Sequence, residues 1–127
     1  MDTPEKTFAK KWLEKAEHDF RHAGHSLEFG DLDWAQLACQ QADEKALKAV
    51  CIRTGLGLVK THELSALARK LGAPRKIIEQ CALLNSFYTA PRYPDIEGLS
   101  DESTQESATH DALSAAREVL AWSKTKI

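Results

Sequence analysis

Three histidines, His18, His22 and His25, stand at i, i+4 and i+7, with Glu14 one turn earlier. Imidazoles at that spacing on one helix can share zinc or another divalent ion. Their direction argues against it. Measured from Ala16, at the centre of the surrounding apolar face, the three point roughly 180–240° away, towards water. No native metal site is expected there. Nucleophilic hydrolysis has less support, because no serine or cysteine sits in a recognisable elbow and Cys51 and Cys81 lie in apolar surroundings. Gly55-Leu56-Gly57 lacks the lysine and following helix of a phosphate-cradling loop, so no cofactor is expected. His62 has Glu63 beside it and Glu44 earlier in the chain, but nothing in the spacing brings a base and its orienting acid together. A first-turn histidine bonded to a neighbouring loop is the plainer reading.

Two other groups suit binding better than catalysis. Arg92 and Tyr93 lie on a proline-bounded corner, shortly after Tyr88. An arginine beside two tyrosines suits phosphate or nucleobase contact; an arginine tied to Asp95 and a tyrosine packed at an edge is the structural alternative. The second group is on the stretch Asp33–Thr54. Setting Ala38 at zero and taking 100° per residue, Trp34, Ala42, Ala49 and Ile52 fall within roughly 40° of it. Gln41 and Lys45 fall in the same sector, with Lys48 at its edge and Leu47 and Cys51 towards the opposite side. Polar groups in such a stripe need partners, because leaving one buried and unpaired costs about 1–3 kcal/mol. An internal hydrogen-bond network, with the lysines snorkelling outward, and a polar groove or subunit interface are the two readings.

The elements that position these groups are all helical. Thr3 caps a first helix with Pro4 at its first position, and Phe8, Trp12, Leu13, Ala16, Phe20, Ala23 and Leu27 form its apolar face before Gly30 stops it. Asp33 and Gln36 have capping-box spacing for the central helix, and the short turn between makes the two helices antiparallel neighbours. A short helix is expected over His62–Leu71, a fourth from Pro74 to about Ala90, and a last one opening at Ser103, again with a capping box to Glu106. Pro91 and Pro94 make an extended corner between the last two. No alternating strand segment, internal repeat or low-complexity linker occurs. The expected fold is all-α, an up-and-down bundle of four long helices and one short one, in a single domain over residues 1–127.

With 127 residues the chain can bury one core unaided. Its net charge of −2 makes no global case for nucleic-acid binding. Basic residues nevertheless cluster from Lys45 to Lys76 and acids from Asp95 to Asp111, so a local basic surface or merely a solvated face is implied. Three cysteines without metal-type spacing read as small core residues in a reducing compartment. No run approaches the ~18 apolar residues of a membrane span, and the N-terminus lacks a signal peptide's apolar stretch. A cytoplasmic protein without membrane association is expected.

Taken together, Q-Q-A-D-E-K-A-L-K-A at 40–49, T-H-E-L at 61–64 and L-L-N-S-F-Y followed by R-Y-P-D at 83–95 resemble the HEPN domain family. Lys15 to Phe20 and G-D-L-D-W-A at 30–35 also fit its pattern. The resemblance implies a helical bundle like the substrate-binding half of kanamycin-type nucleotidyltransferases, and pairing into homodimers. It also implies partnership, in many bacterial members, with a minimal nucleotidyltransferase as a toxin–antitoxin or nucleotidyl-transfer pair. Other members are metal-independent ribonucleases marked by an arginine and, four to six residues later, a histidine. Here Ile96 to Gly98 contains no histidine after Arg92, and Tyr93 replaces the usual polar neighbour. Arg53 and His62 are too widely spaced, and His110 lies too far along the chain. No catalytic residue is therefore assigned. The expected function is a homodimeric module that binds a nucleotide, RNA or a nucleotidyltransferase through Gln41, Glu44, Lys45, Lys48, His62, Tyr88, Arg92 and Tyr93. A ribonuclease toxin with an unconventional arginine–histidine pair and a purely structural oligomerisation module are the alternatives.

Overall fold

Thr3 caps the first helix as its sequence predicts, its Oγ1 accepting from the Lys6 backbone N–H at 3.2 Å. The computed structural model describes residues 2–57, 59–61, 63–86 and 102–127, the side chains of the last segment from residue 105 onward. Five helices are described, α1 (Pro4–Glu28), α2 (Leu32–Arg53), α3 (Leu64–Lys70), α4 (Arg75–Asn85) and α5 (Glu102–Lys124), and no strand is found among these residues. The bundle is all-α. None of the described helices is long and apolar enough to cross a membrane.

The turn after α1 closes with Gly30 at φ 79°, a left-handed conformation that glycine adopts without penalty, and with the Asp31 N–H donating to the Ser26 carbonyl at 2.8 Å. This turn lays α1 and α2 antiparallel. Their seam is built of alanines. Ala9, Ala16 and Ala23, seven residues apart, are fully buried and meet Ala49, Ala46 and Ala38 respectively within shared apolar clusters. Side chains this short let helix axes approach to the low end of the usual 8–10 Å. Phe8, expected in the apolar face, is instead half-exposed at its edge, because its neighbour Ala9 takes the inward position.

Among the described helices α2 is the central element and contacts each of the others, whereas α1 touches α2 and α5. α2 is buried on two sides, the stripe with Ala38, Ala42, Ala49 and Ile52 being one of them. Its deepest side is the one carrying Cys39, Leu47 and Cys51, which pack with Leu64 and Leu67 of α3, Cys81 and Leu84 of α4, and Val119 of α5. Trp34, Gln41, Lys45 and Lys48 lie on its outermost edge.

Three local expectations change for identifiable reasons. The capping box at Asp33 and Gln36 does not form, since α2 opens one residue before Asp33 with Asp31 at its cap. The Gln36 amide instead donates to Thr109 Oγ1 at 2.8 Å and the Gln105 carbonyl at 3.3 Å, tying α2 to α5. α3 is shorter than expected, and its first N–H, that of Leu64, donates to Asn85 Oδ1 at 2.7 Å. Asn85 Nδ2 also donates to Ser65 Oγ at 3.2 Å, so the end of α4 caps the start of α3. α5 opens at Glu102, which places Ser103 inside the helix rather than at its cap. α4 ends at Asn85 with Ser86 as its cap; its expected extension to Ala90 and the proline corner lie outside the described residues.

Candidate functional site

Four of the residues expected to bind occupy α2, and the packing sorts them. Lys45 Nζ bonds Asp19 Oδ2 of α1 at 2.5 Å. Lys48 Nζ lies 3.5 Å from Glu44 Oε1, one turn back, with both side chains largely buried. Gln41 Nε2 donates to Gln40 Oε1 at 3.1 Å. Each polar group within this edge therefore has a partner, and the lysine charges are matched by carboxylates. Between α1 and α2 a shallow cleft of about 260 Å³ is bounded by Asp19, His22, Trp34, Leu37, Gln41 and Lys45. Trp34 is 57% exposed at its rim. On α1, helical spacing sets Phe8 and Trp12 on the side that carries Asp19, and the two rings meet edge to face with centroids 6.5 Å apart.

His62, Tyr88, Arg92 and Tyr93 lie outside the described residues. The helix 1 histidines are exposed and do not converge: His22 borders the α1–α2 cleft, His25 borders a groove between α1 and α5, and the His18 side chain is 75% exposed. No group of three histidine, cysteine or acidic side chains that could hold a metal occurs among the described residues.

Sequence reasoning missed the most unusual polar group in the molecule. Asp43, inside the Q-Q-A-D-E-K stretch, is fully buried, and neither carboxylate oxygen has a hydrogen-bond partner among the described residues. Gln40 Nε2 is likewise unsatisfied. Desolvation raises the Asp43 carboxyl well above its ordinary range. The signal was available, because Asp43 stands four residues from both Cys39 and Leu47 on α2 and so shares their inward side. The cysteines are free and buried. Burial, with Asp43 nearby adding to it, pushes the Cys39 thiol up to about 12 and raises that of Cys81. Desolvation is the larger cause of both shifts. Every clearly raised group among the described residues belongs to the dry core.

An all-helical bundle organised about one buried central helix defines the class of protein. The HEPN domain model matches residues 9–126, and the chain belongs to the HEPN family. Among solved structures it is similar to TT1696 from Thermus thermophilus, with 33% identity, a TM-score of 0.83, and coverage of 94% of this chain and 98% of that one. It is also similar to ST0689, an archaeal HEPN homologue, at 28% identity and a TM-score of 0.77, covering 92% and 95%. The tm0613 HEPN domain protein of Thermotoga maritima shares the fold at 23% identity and a TM-score of 0.75, covering 91% and 95%. No curated protein matches the chain.

Proposed function

We propose that this chain is a non-catalytic HEPN binding module that pairs with a second copy of itself through the α1–α2 face. A minimal nucleotidyltransferase is the further partner that the family resemblance supports. One observation carries the pairing: the α1–α2 face joins an exposed tryptophan to polar side chains already bonded among themselves. Aromatic anchors of this kind dominate interface energetics, and satisfied polar groups around them can be covered without stranding a charge. The same ion pairs weigh against phosphate binding at Lys45 and Lys48, because an arriving phosphate would have to displace Asp19 and Glu44.

Hydroxyl-radical footprinting across a protein dilution series tests the reading. Oxidation of Trp34 is expected to fall as concentration rises, while exposed Phe29, at the α1–α2 turn, stays equally reactive. Equal modification of Trp34 at every concentration would remove the proposed interface.

A further inference from the structure

On the other flank of α1 a second groove carries positive charge at its middle. α1 and α5 run antiparallel, so that Glu17 meets Lys124 at one end and Glu28 borders the same cavity as His110 at the other. Between the ends Phe20 packs against Ala16 and Leu120. Beside that seam lies an open cavity of about 490 Å³, which continues past Arg21 and Arg117 into another of about 270 Å³. His110, Ser114, Arg117, Ala121 and Lys124, at i, i+4, i+7, i+11 and i+14, form the α5 wall. From the first to the last of them, at 1.5 Å per residue, the groove runs about 21 Å.

We infer that this groove takes an acidic, amphipathic helix of a partner protein, its carboxylates on Arg21 and Arg117 and its apolar edge on Phe20 and Leu113. Charge decides the character of the partner. The two arginines border both cavities, and neither has a carboxylate partner among the described residues. A guanidinium fork fits a carboxylate through two parallel hydrogen bonds, and arginine is a favoured anchor at protein interfaces. Arg117 is held over the Phe20 ring, its Cζ 5.7 Å from the centroid, which orders the side chain while its N–H donors stay available. The groove's own acids sit at its ends rather than its middle. Glu17 is occupied by Lys124 at 3.3 Å, Glu106 lies 3.9 Å from His110, and Glu28 borders the mouth. Carboxylates at the middle must therefore come from a partner.

Shape decides the class of partner. A small-molecule site buries most of its ligand in a concave pocket, whereas this groove lies open along its length between two helix ridges. A helix about 10–12 Å across can lie along such a channel, and grooves of this kind read it through apolar anchors three, four and seven residues apart. Half-buried Phe20 and Leu113 form the floor, with Gly24 and Ser114 on the walls. A Cβ at Gly24 would meet nothing within 4 Å, so packing inside the chain does not require a glycine that destabilises its own helix. Close passage of a second backbone accounts for it. The site lies on the opposite flank of α1 from the proposed pairing face and does not depend on it.

The test is a displayed library of helical peptides, each about 14 residues long to match the groove, selected on the full chain and counter-selected on the Arg21→Gln, Arg117→Gln double variant. Enriched peptides are expected to carry Asp or Glu beside Leu, Ile or Phe recurring at three and four residues. Their affinity, read by fluorescence anisotropy, should fall tenfold or more with either arginine variant. It should fall as far with Ser114→Trp, which fills the groove and leaves both arginines in place. Lys11→Gln, on the solvent side of α1, should leave it unchanged. All these positions are exposed, and circular dichroism of each variant separates loss of the site from loss of the fold. A selection that yields no peptide preferring the wild type would overturn the inference. So would enriched peptides that lack acids or helical apolar spacing, or binding that Ser114→Trp leaves intact.

Discussion

Replacing Asp43 by asparagine should stabilise this protein at neutral pH and change how its stability responds to pH. Asp43 is fully buried, its oxygens find no partner among the described residues, and burial raises its carboxyl far above the ordinary value. In the unfolded chain it titrates near ~3.9. Below that value the carboxyl is protonated in both states, and the folded protein carries no titration penalty from it. As pH rises, the unfolded state ionises first while the native state keeps its proton. Stability then falls by about 1.4 kcal/mol per pH unit until the pH passes the raised native value, where the loss levels off. The Asp43→Asn variant has nearly the same shape and no titration, so it lacks this slope. Within the first unit above the carboxyl's ordinary range the gap already exceeds the ~0.5 kcal/mol spread of neutral surface substitutions. Urea unfolding followed by circular dichroism from pH 4 to 8 reads the difference directly. The wild type should lose ground to the variant steadily as pH rises. If the variant is the less stable protein throughout, and the wild type weakens on acidification instead, the carboxylate is ionised and paired, and the reasoning fails.

Removing the side-chain cap on α3 with Asn85→Ala should cost about 1 kcal/mol and speed hydrogen exchange at Leu64, whose N–H it bonds; unchanged exchange there would contradict the bond. A double-mutant cycle on Lys45 and Asp19 should give a coupling of about 0.5–1 kcal/mol that shrinks with added salt, since the pair is only partly buried. A coupling of zero at low salt would mean the two charges do not meet in solution. Because Cys39, Cys51 and Cys81 are buried with raised thiols, their reaction with an aromatic disulfide reagent should track unfolding across a denaturant series. Fast labelling of the native protein would refute that.

The architecture was legible because the apolar spacing, the Pro4 start and the Gly30 stop are local signals that packing reinforced. Helix bounds at the connections were less so. Gln36 looked like a cap from its spacing to Asp33, yet Thr109, 73 residues away in sequence, holds its amide. Asn85 caps a helix that begins 21 residues before it. Neither partner is visible to a local pattern. α2 carries apolar residues on both the Ala38 side and the Leu47–Cys51 side because α1 buries the one and α3, α4 and α5 bury the other. Ala38, Ala42, Ala49 and Ile52 of its stripe are buried as read, whereas Asp43, on the other buried side, passed unnoticed while Gln41 and Lys45 drew attention.

The most direct test of the central claim is light scattering on the wild type and Trp34→Glu across a concentration series, with circular dichroism to check the fold. Pairing through the α1–α2 face predicts a wild-type mass near twice the 14.1 kDa of one chain. It also predicts a Trp34→Glu variant that is equally helical and stays at the single-chain mass. A wild type that remains monomeric throughout, or a variant that pairs as well as the wild type, would contradict it.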